Sequence, residues 1–164
     1  MRPYAFAAIA LSTALLPVPR AGAAPVAIAI ASFDYTDSSG EPRDQTAAHA
    51  ARLKMLQAEI ADTLRRSGRF APAALHCGKP PCSAEDLDGP DMQGAAKAQD
   101  ARFVVFGGVH KMSTLIQWGQ VEVMNTATGA PALSRTVTFR GDSDEAWHHA
   151  ADYIGQLLLD GLKP

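Results

Sequence analysis

Basic charge in excess is missing from this chain of 164 residues: fifteen Lys and Arg face seventeen Asp and Glu, a formal net charge of −2. That balance excludes a strongly basic nucleic-acid binder. Cysteine is scarce, with only Cys77 and Cys82. A zinc centre needs more ligands close by, and only His76 is adjacent. Catalytic signatures are missing too. There is no H-E-x-x-H, no G-x-S-x-G, no P-loop and no dinucleotide fingerprint, so no known constellation marks a reaction. What is present is a globular composition, 47% hydrophobic and 20% charged, which excludes a disordered chain and a collagen.

The N-terminus reads as an export signal. Arg2 supplies a positive start, and Ala5 to Leu16 (AFAAIALSTALL) is an apolar run of twelve residues. Pro17 and Pro19 break it, and Ala21-Gly22-Ala23 offers small residues for cleavage. A membrane anchor needs roughly 20 apolar residues, which this segment lacks. The expected division is a signal peptide over 1–23 and a single α/β domain over 24–164. Removing Arg2 and Arg20 leaves thirteen basic residues against seventeen acidic ones, a net of −4. An exported chain matures in an oxidising compartment, so Cys77 and Cys82 in CGKPPC are expected to form a disulfide pinning a Pro-rich turn. The spacing is not that of a C-x-x-C redox couple.

The mature chain opens on a doubly buried strand, Val26 to Phe33 (VAIAIASF), followed by a polar loop from Asp34 to Gln45. A helix to about Arg66 follows, with Asp44 as its expected N-cap and Leu53, Leu56, Ile60 and Leu64 as its apolar stripe. Arg69 to Leu75 reads as a second strand and Asp91 to Gln99 as a short helix. Arg102 to Met112 reads as a strand in which Gly107 and Gly108 mark a bulge or a close neighbour. Leu115 to Met124 and Leu133 to Phe139 form a hairpin around the turn NTATG, and Asp142 with Glu145 has capping-box spacing for a final helix. The fold class is α/β in its α+β variant: a mixed sheet of about five strands, helices packed mainly on one face, and a C-terminal β-hairpin followed by a helix.

Several residues are candidates for function. Asp34 and Asp37 lie beyond the first strand, where ligands bind in open α/β sheets. His110 and Lys111 end a strand, one facing away from the other. Arg135 shares a strand face with Leu133, Val137 and Phe139, so its charge needs a partner such as Glu122 or a path to water. Asp34, Asp37, His110 and Arg135 make up the candidate ligand site. Period two sets Leu115, Gly119, Val121 and Val123 toward the core and Ile116, Trp118, Gln120, Glu122 and Met124 on the opposite face. Phe106, Met112, Ile116 and Trp118 then form a candidate contact face. His148 and His149 are adjacent and point apart; a metal site would need His110 to approach one of them.

The segments GVHKM (Gly108 to Met112), IQW (Ile116 to Trp118) and FRGDSDEAWHHAADYI (Phe139 to Ile154) resemble a family of small exported bacterial proteins of unknown function. The VAIAIASFDYTD opening, the LRRSGRF helix exit, the ARFVVFGGV strand and the TATG turn are similar in layout to the TolB N-terminal domain and to the periplasmic domain of curli-secretion lipoproteins. The resemblance implies an α/β unit that mainly makes protein contacts and brings no catalytic residue set. The chain has neither the lipobox cysteine of those lipoproteins nor the propeller repeats of TolB.

These readings combine into an exported, non-enzymatic accessory or binding domain of the periplasm. It works through a protein partner or self-association, with no nucleic acid, no cofactor, no metal and no stable membrane insertion. The alternative is a periplasmic small-molecule or metal-binding protein using the strand-end loops. A hydrolase with a dispersed site ranks last.

Overall fold

A computed structural model describes residues 23–164; the expected export signal, save Ala23, lies outside the described residues. The element order is β1 (Val26–Ile30), β2 (Asp34–Asp37), α1 (Thr46–Arg66), β3 (Phe70–Ala74), α2 (Gly89–Lys97), β4 (Phe103–Lys111), β5 (Ile116–Asn125), β6 (Pro131–Arg140) and α3 (Asp144–Gly161). One six-stranded mixed sheet runs β3-β1-β4-β5-β6, with β2 also paired to β4. β1 and β2 are both parallel to β4, β1 along Phe103 to Val105 and β2 along Gly108 to Lys111. They act as one interrupted strand lying along β4. The sixth strand therefore comes from Asp34 to Asp37, which the sequence reads as loop. These four polar residues carry no apolar alternation, and what makes them a strand is the ladder offered by the far end of β4.

Two helices cover one sheet face. Leu56, Ile60 and Leu64 of α1 and Trp147, Ile154 and Leu158 of α3 pack on Ile28, Phe103, Val105, Val109, Val121 and Val137. Trp147 is fully buried, and burying an aromatic of that size contributes about 3 kcal/mol. The helices approach closely at Gly155, where a Cβ would lie 2.8 Å from Thr63 Cγ2. On the other face the short α2 covers only part of the sheet. Met92 and Ala96 pack with Ala29, Ala31, Val104 and Met124, and the Cys77–Cys82 disulfide fastens the segment entering α2. The helices are thus mainly on one face, and beyond β4 the other face is left bare except at Met124 near the end of β5.

The caps differ from the sequence reading in an informative way. Asp88 caps α2 by accepting from Asp91 N at 2.8 Å, with a proline in the first turn. Asp44 accepts from Thr46 N at 3.0 Å, but the N-cap position of α1 is Gln45. Ser143, not Asp142, caps α3, accepting from Ala146 N at 3.3 Å. Asp142 is turned inward. Gly107 is explained by close approach: a Cβ there would sit 2.0 Å from the Gln120 carbonyl oxygen of β5.

Candidate functional site

β4 carries Lys111 and His110 to different surroundings, because its alternation sends successive residues to opposite faces. Phe103, Val105 and Val109 point to the helices, and Lys111 continues that row. His110 points the other way. Lys111 is therefore 0% exposed, a placement that is tolerable only with compensating charge. Its Nζ donates to Glu41 Oε2 at 2.5 Å and to Asp142 Oδ2 at 2.8 Å, with Asp37 Oδ2 at 3.7 Å. Asp142 also accepts from Arg52 Nη1 at 2.7 Å and from His49 Nε2 at 2.9 Å. Gln117 Nε2 at 3.3 Å and Trp147 Nε1 at 3.4 Å stand farther off.

The electrostatics follow from these contacts. Burial alone opposes the Asp142 carboxylate, but hydrogen bonds from Lys111 and His49 outweigh it and lower its pKa from 3.8 to about 2. Burial likewise opposes the Lys111 ammonium, yet its bonds to Asp142 and Glu41 hold its pKa above the ordinary value. The Lys111 ammonium is thus committed to ion pairs with Glu41 and Asp142. The cluster is a latch. It ties the end of β4 to the 38–45 loop through Glu41, to α1 through Arg52 and His49, and to the start of α3 through Asp142. A cavity of about 500 Å³ opens beside it, lined by Tyr35, Asp37, Glu41, Arg43 and His49 among others. The Tyr35 hydroxyl is buried without a partner, and burial beside Asp37 and Asp142 holds its pKa well above the usual phenol value.

The sequence reading missed this cluster, although period two carried the signal. Phe103, Val105 and Val109 set the inward row, and Lys111 falls on it. The sequence places Asp142 at a cap because capping-box spacing is local, whereas its actual partners are distant in sequence.

The opposite face presents a different surface. His110 and Trp118 are directly paired across β4 and β5, with ring centroids 5.5 Å apart, and Ser38 Oγ lies 2.6 Å from His110 Nε2. Beyond them the β4–β5 hairpin tip exposes Met112 (53%), Leu115 (68%) and Ile116 (41%). Leu115 thus lies outside the core side that period two suggests, because it precedes β5 and belongs to the turn. Gln117 takes the first inward position of that strand instead, fully buried.

The candidate residues divide as follows. Met112, Ile116 and Trp118 lie along the hairpin and its open face, while half-buried Phe106 packs against the second core under α2. Asp34 and Asp37 do not converge: three positions apart on a strand, they face opposite sides, Asp34 beside Gly108 and Asp37 toward Lys111. Asp34 and His110 line one small cavity on the open face. Arg135 is remote from both. It lies opposite Val121 on the edge strand, but it is exposed, and it donates to its neighbour Ser134 O at 2.7 Å. Its charge reaches water past the rim of the helical layer, so no acidic partner is needed.

His110 is on the face away from α3 and does not approach His148 or His149. His148 pairs instead with Glu59, and His149 is exposed with Glu145 Oε1 at 3.8 Å. Among the described residues no group of three His, Cys, Asp or Glu is disposed to hold a metal, and no helix is long and apolar enough to cross a membrane.

The arrangement defines a class: a mixed sheet with two long helices on one face, a partial cover on the other, and a bare apolar hairpin tip. The chain belongs to the family DUF3280, described as "Protein of unknown function (DUF2380)", whose profile matches residues 26–157. No curated protein matches it in sequence. Among solved structures, TolB from Acinetobacter baumannii is similar over 85% of this chain and 28% of its own, at 15% identity and a TM-score of 0.54. The PelC dodecamer from Paraburkholderia phytofirmans matches 84% of this chain and 88% of its own, at 20% identity and a TM-score of 0.52. Lipoprotein GNA1162 from Neisseria meningitidis matches 85% of this chain and 100% of its own, at 10% identity and a TM-score of 0.51. At these identities the likeness is one of fold.

Proposed function

We propose that this protein is an exported, non-enzymatic accessory domain that works through protein contacts in the periplasm, self-association included. One observation carries the reading. Met112, Leu115 and Ile116 expose their side chains together at one hairpin tip, next to the half-buried Trp118. Large apolar side chains clustered in this way, with an aromatic beside them, have the composition of an interface core. The export signal expected over 1–23 and the oxidised Cys77–Cys82 pair support the compartment. The assembly of PelC, a protein of similar fold, into a dodecamer supports self-association as one form of the contact.

The test is site-specific photo-cross-linking in the exporting cell, with the photoreactive residue at position 115. Discrete adducts are expected from the native tip and their loss from a variant carrying Ile116→Asp. Ultracentrifugation of the purified mature protein separates self-association from a foreign partner. A strictly monomeric protein that yields no discrete adduct at 115 would end the contact reading. The mature N-terminus is expected at Ala24, which intact-mass measurement of the periplasmic protein checks; a mass retaining 1–23 would remove the compartment from the proposal.

A further inference from the structure

The open face also holds a small recess. A cavity of about 170 Å³ lies where β2, β4 and β5 run side by side. Gly108 leaves part of its lining without a side chain. Gly108 pairs with Asp34 on one side and Gln120 on the other, and a Cβ at Gly108 would come within 3.0 Å of the Asp34 carbonyl oxygen. On the β5 side stands the Trp118 indole, braced by His110. On the β2 side stand two acidic residues, Asp34 and Glu85, the backbone N–H of Glu85 donating to Asp34 Oδ2 at 3.2 Å. Among the described residues no lysine or arginine lines the cavity. The Gln120 amide is already committed, donating to Glu122 and Ser134 and accepting from Thr136.

A recess with an aromatic wall, two acidic residues and no lysine or arginine in its lining is complementary to a flat cation. We propose that it receives an arginine side chain presented by a protein partner, the guanidinium lying against Trp118 and its N–H groups turned toward Asp34 and Glu85. Both halves of the recess suit guanidinium better than ammonium. The planar group stacks on an indole and keeps donors free in its own plane for carboxylates. The cavity volume suits the end of one side chain rather than a metabolite, whose sites run to several hundred Å³. The recess also neighbours the hairpin tip through Trp118, so an arginine there would orient a partner seated on the tip. The inference deepens the contact function and rests on it for the partner's identity as a protein.

The experiment titrates the ¹⁵N-labelled mature protein, disulfide intact, with acetyl-Gly-Arg-Gly-amide at constant ionic strength and fixed neutral pH. The isosteric citrulline peptide, which lacks the charge, serves as control. Saturable shifts of the Trp118 indole N–H and of the Gly108 and Glu85 amides are expected from the arginine peptide alone. Glu85→Gln, at an exposed position, and Asp34→Asn, which can still accept from the Glu85 N–H, should each weaken binding about threefold, as loss of one exposed ion pair does. Trp118→Leu should weaken it by a similar factor. Equal shifts from the citrulline peptide, shifts centred elsewhere, no saturable shift, or indifference to both carboxylate variants would each overturn the proposal. Cross-linking at position 115 without arginine binding removes the recess alone. Arginine binding without any cross-linked partner removes the contact function and leaves the recess as a cation site.

Discussion

Lys111 is the residue at which charge and position disagree most. An ammonium with no exposed surface is stable here because Glu41 and Asp142 accept from it directly. Removing the ammonium takes the shared cation from Glu41 and Asp142, although Arg52 and His49 still hold Asp142 and Gln45 still holds Glu41, so Lys111→Met should cost about 2 kcal/mol at neutral pH by denaturant titration. Adding Asp142→Asn should recover part of that loss, and the coupling is read from a double-mutant cycle. The acid limb has a defined sign. The folded pKa of Asp142 is depressed from 3.8 to about 2. Its contribution, about 2 kcal/mol, is complete above the unfolded value and disappears as pH falls through the folded one. Stability measured from pH 5 down to pH 2 should therefore decline by that amount more in the native protein than in Asp142→Asn. Equal slopes would show that Asp142 is not the titrating latch. Lys111 has the opposite sign: its raised pKa keeps its contribution intact below the ordinary lysine value and loses it only in strong alkali.

At the scale of elements, helices were the most legible part of the chain and β2 the least. The stripe of Leu56, Ile60 and Leu64 identifies α1 because a helix buries one face at fixed spacing. β2 has no such stripe, and DYTD is extended only because β4 runs past it. The start of α3 shows how a local signal can mislead. Asp142 and Glu145 match a capping box, yet the carboxylate is drawn inward and Ser143 takes the cap. Ser143→Ala should accordingly cost about 1 kcal/mol, independent of pH, whereas the cost of losing Asp142 varies with pH. The α1–α3 contact gives a second expectation. Gly155→Ala improves helix propensity, but its new Cβ would meet Thr63 Cγ2 at 2.8 Å and Thr63 Cβ at 2.9 Å. The variant should lose about 1–2 kcal/mol through overpacking. Thr63→Ala should restore only part of this, since the second contact remains. A gain in melting temperature for Gly155→Ala alone would contradict the close packing of these helices.

For the whole molecule, the two sheet faces have different work. One is sealed by α1 and α3 over an apolar core and latched at its end by Lys111. The other is sealed only over β1, the first half of β4 and the end of β5 at Met124. Substitutions on the uncovered part should therefore separate stability from association. Leu115→Asp with Ile116→Asp should change unfolding free energy by no more than about 0.5 kcal/mol, because both side chains already face water. The same pair should abolish adducts formed from a photoreactive residue placed at position 112, the other exposed apolar site of the tip. A large loss of stability would mean that the tip packs within its own fold. Reduction of Cys77–Cys82 closes the set: a loop this short contributes about 2 kcal/mol by chain entropy. Unfolding with and without reductant should differ by that amount, with the open half of the sheet unchanged.

Local pattern alone settled the helices, the long strands, the cysteine pair and the alternation that divides β5 between two faces, because each depends on neighbours a few residues away. Tertiary structure decided which residues share a site. It set Asp34 and Asp37 on opposite sides of one strand and moved Phe106 beneath α2. It let Arg135 reach water at the sheet edge, and it gathered Asp37, Glu41, His49, Arg52 and Asp142 around Lys111. Those outcomes turn on which strand lies beside which and where the helical cover ends. That is a property of long-range pairing, and no spacing along the chain encodes it.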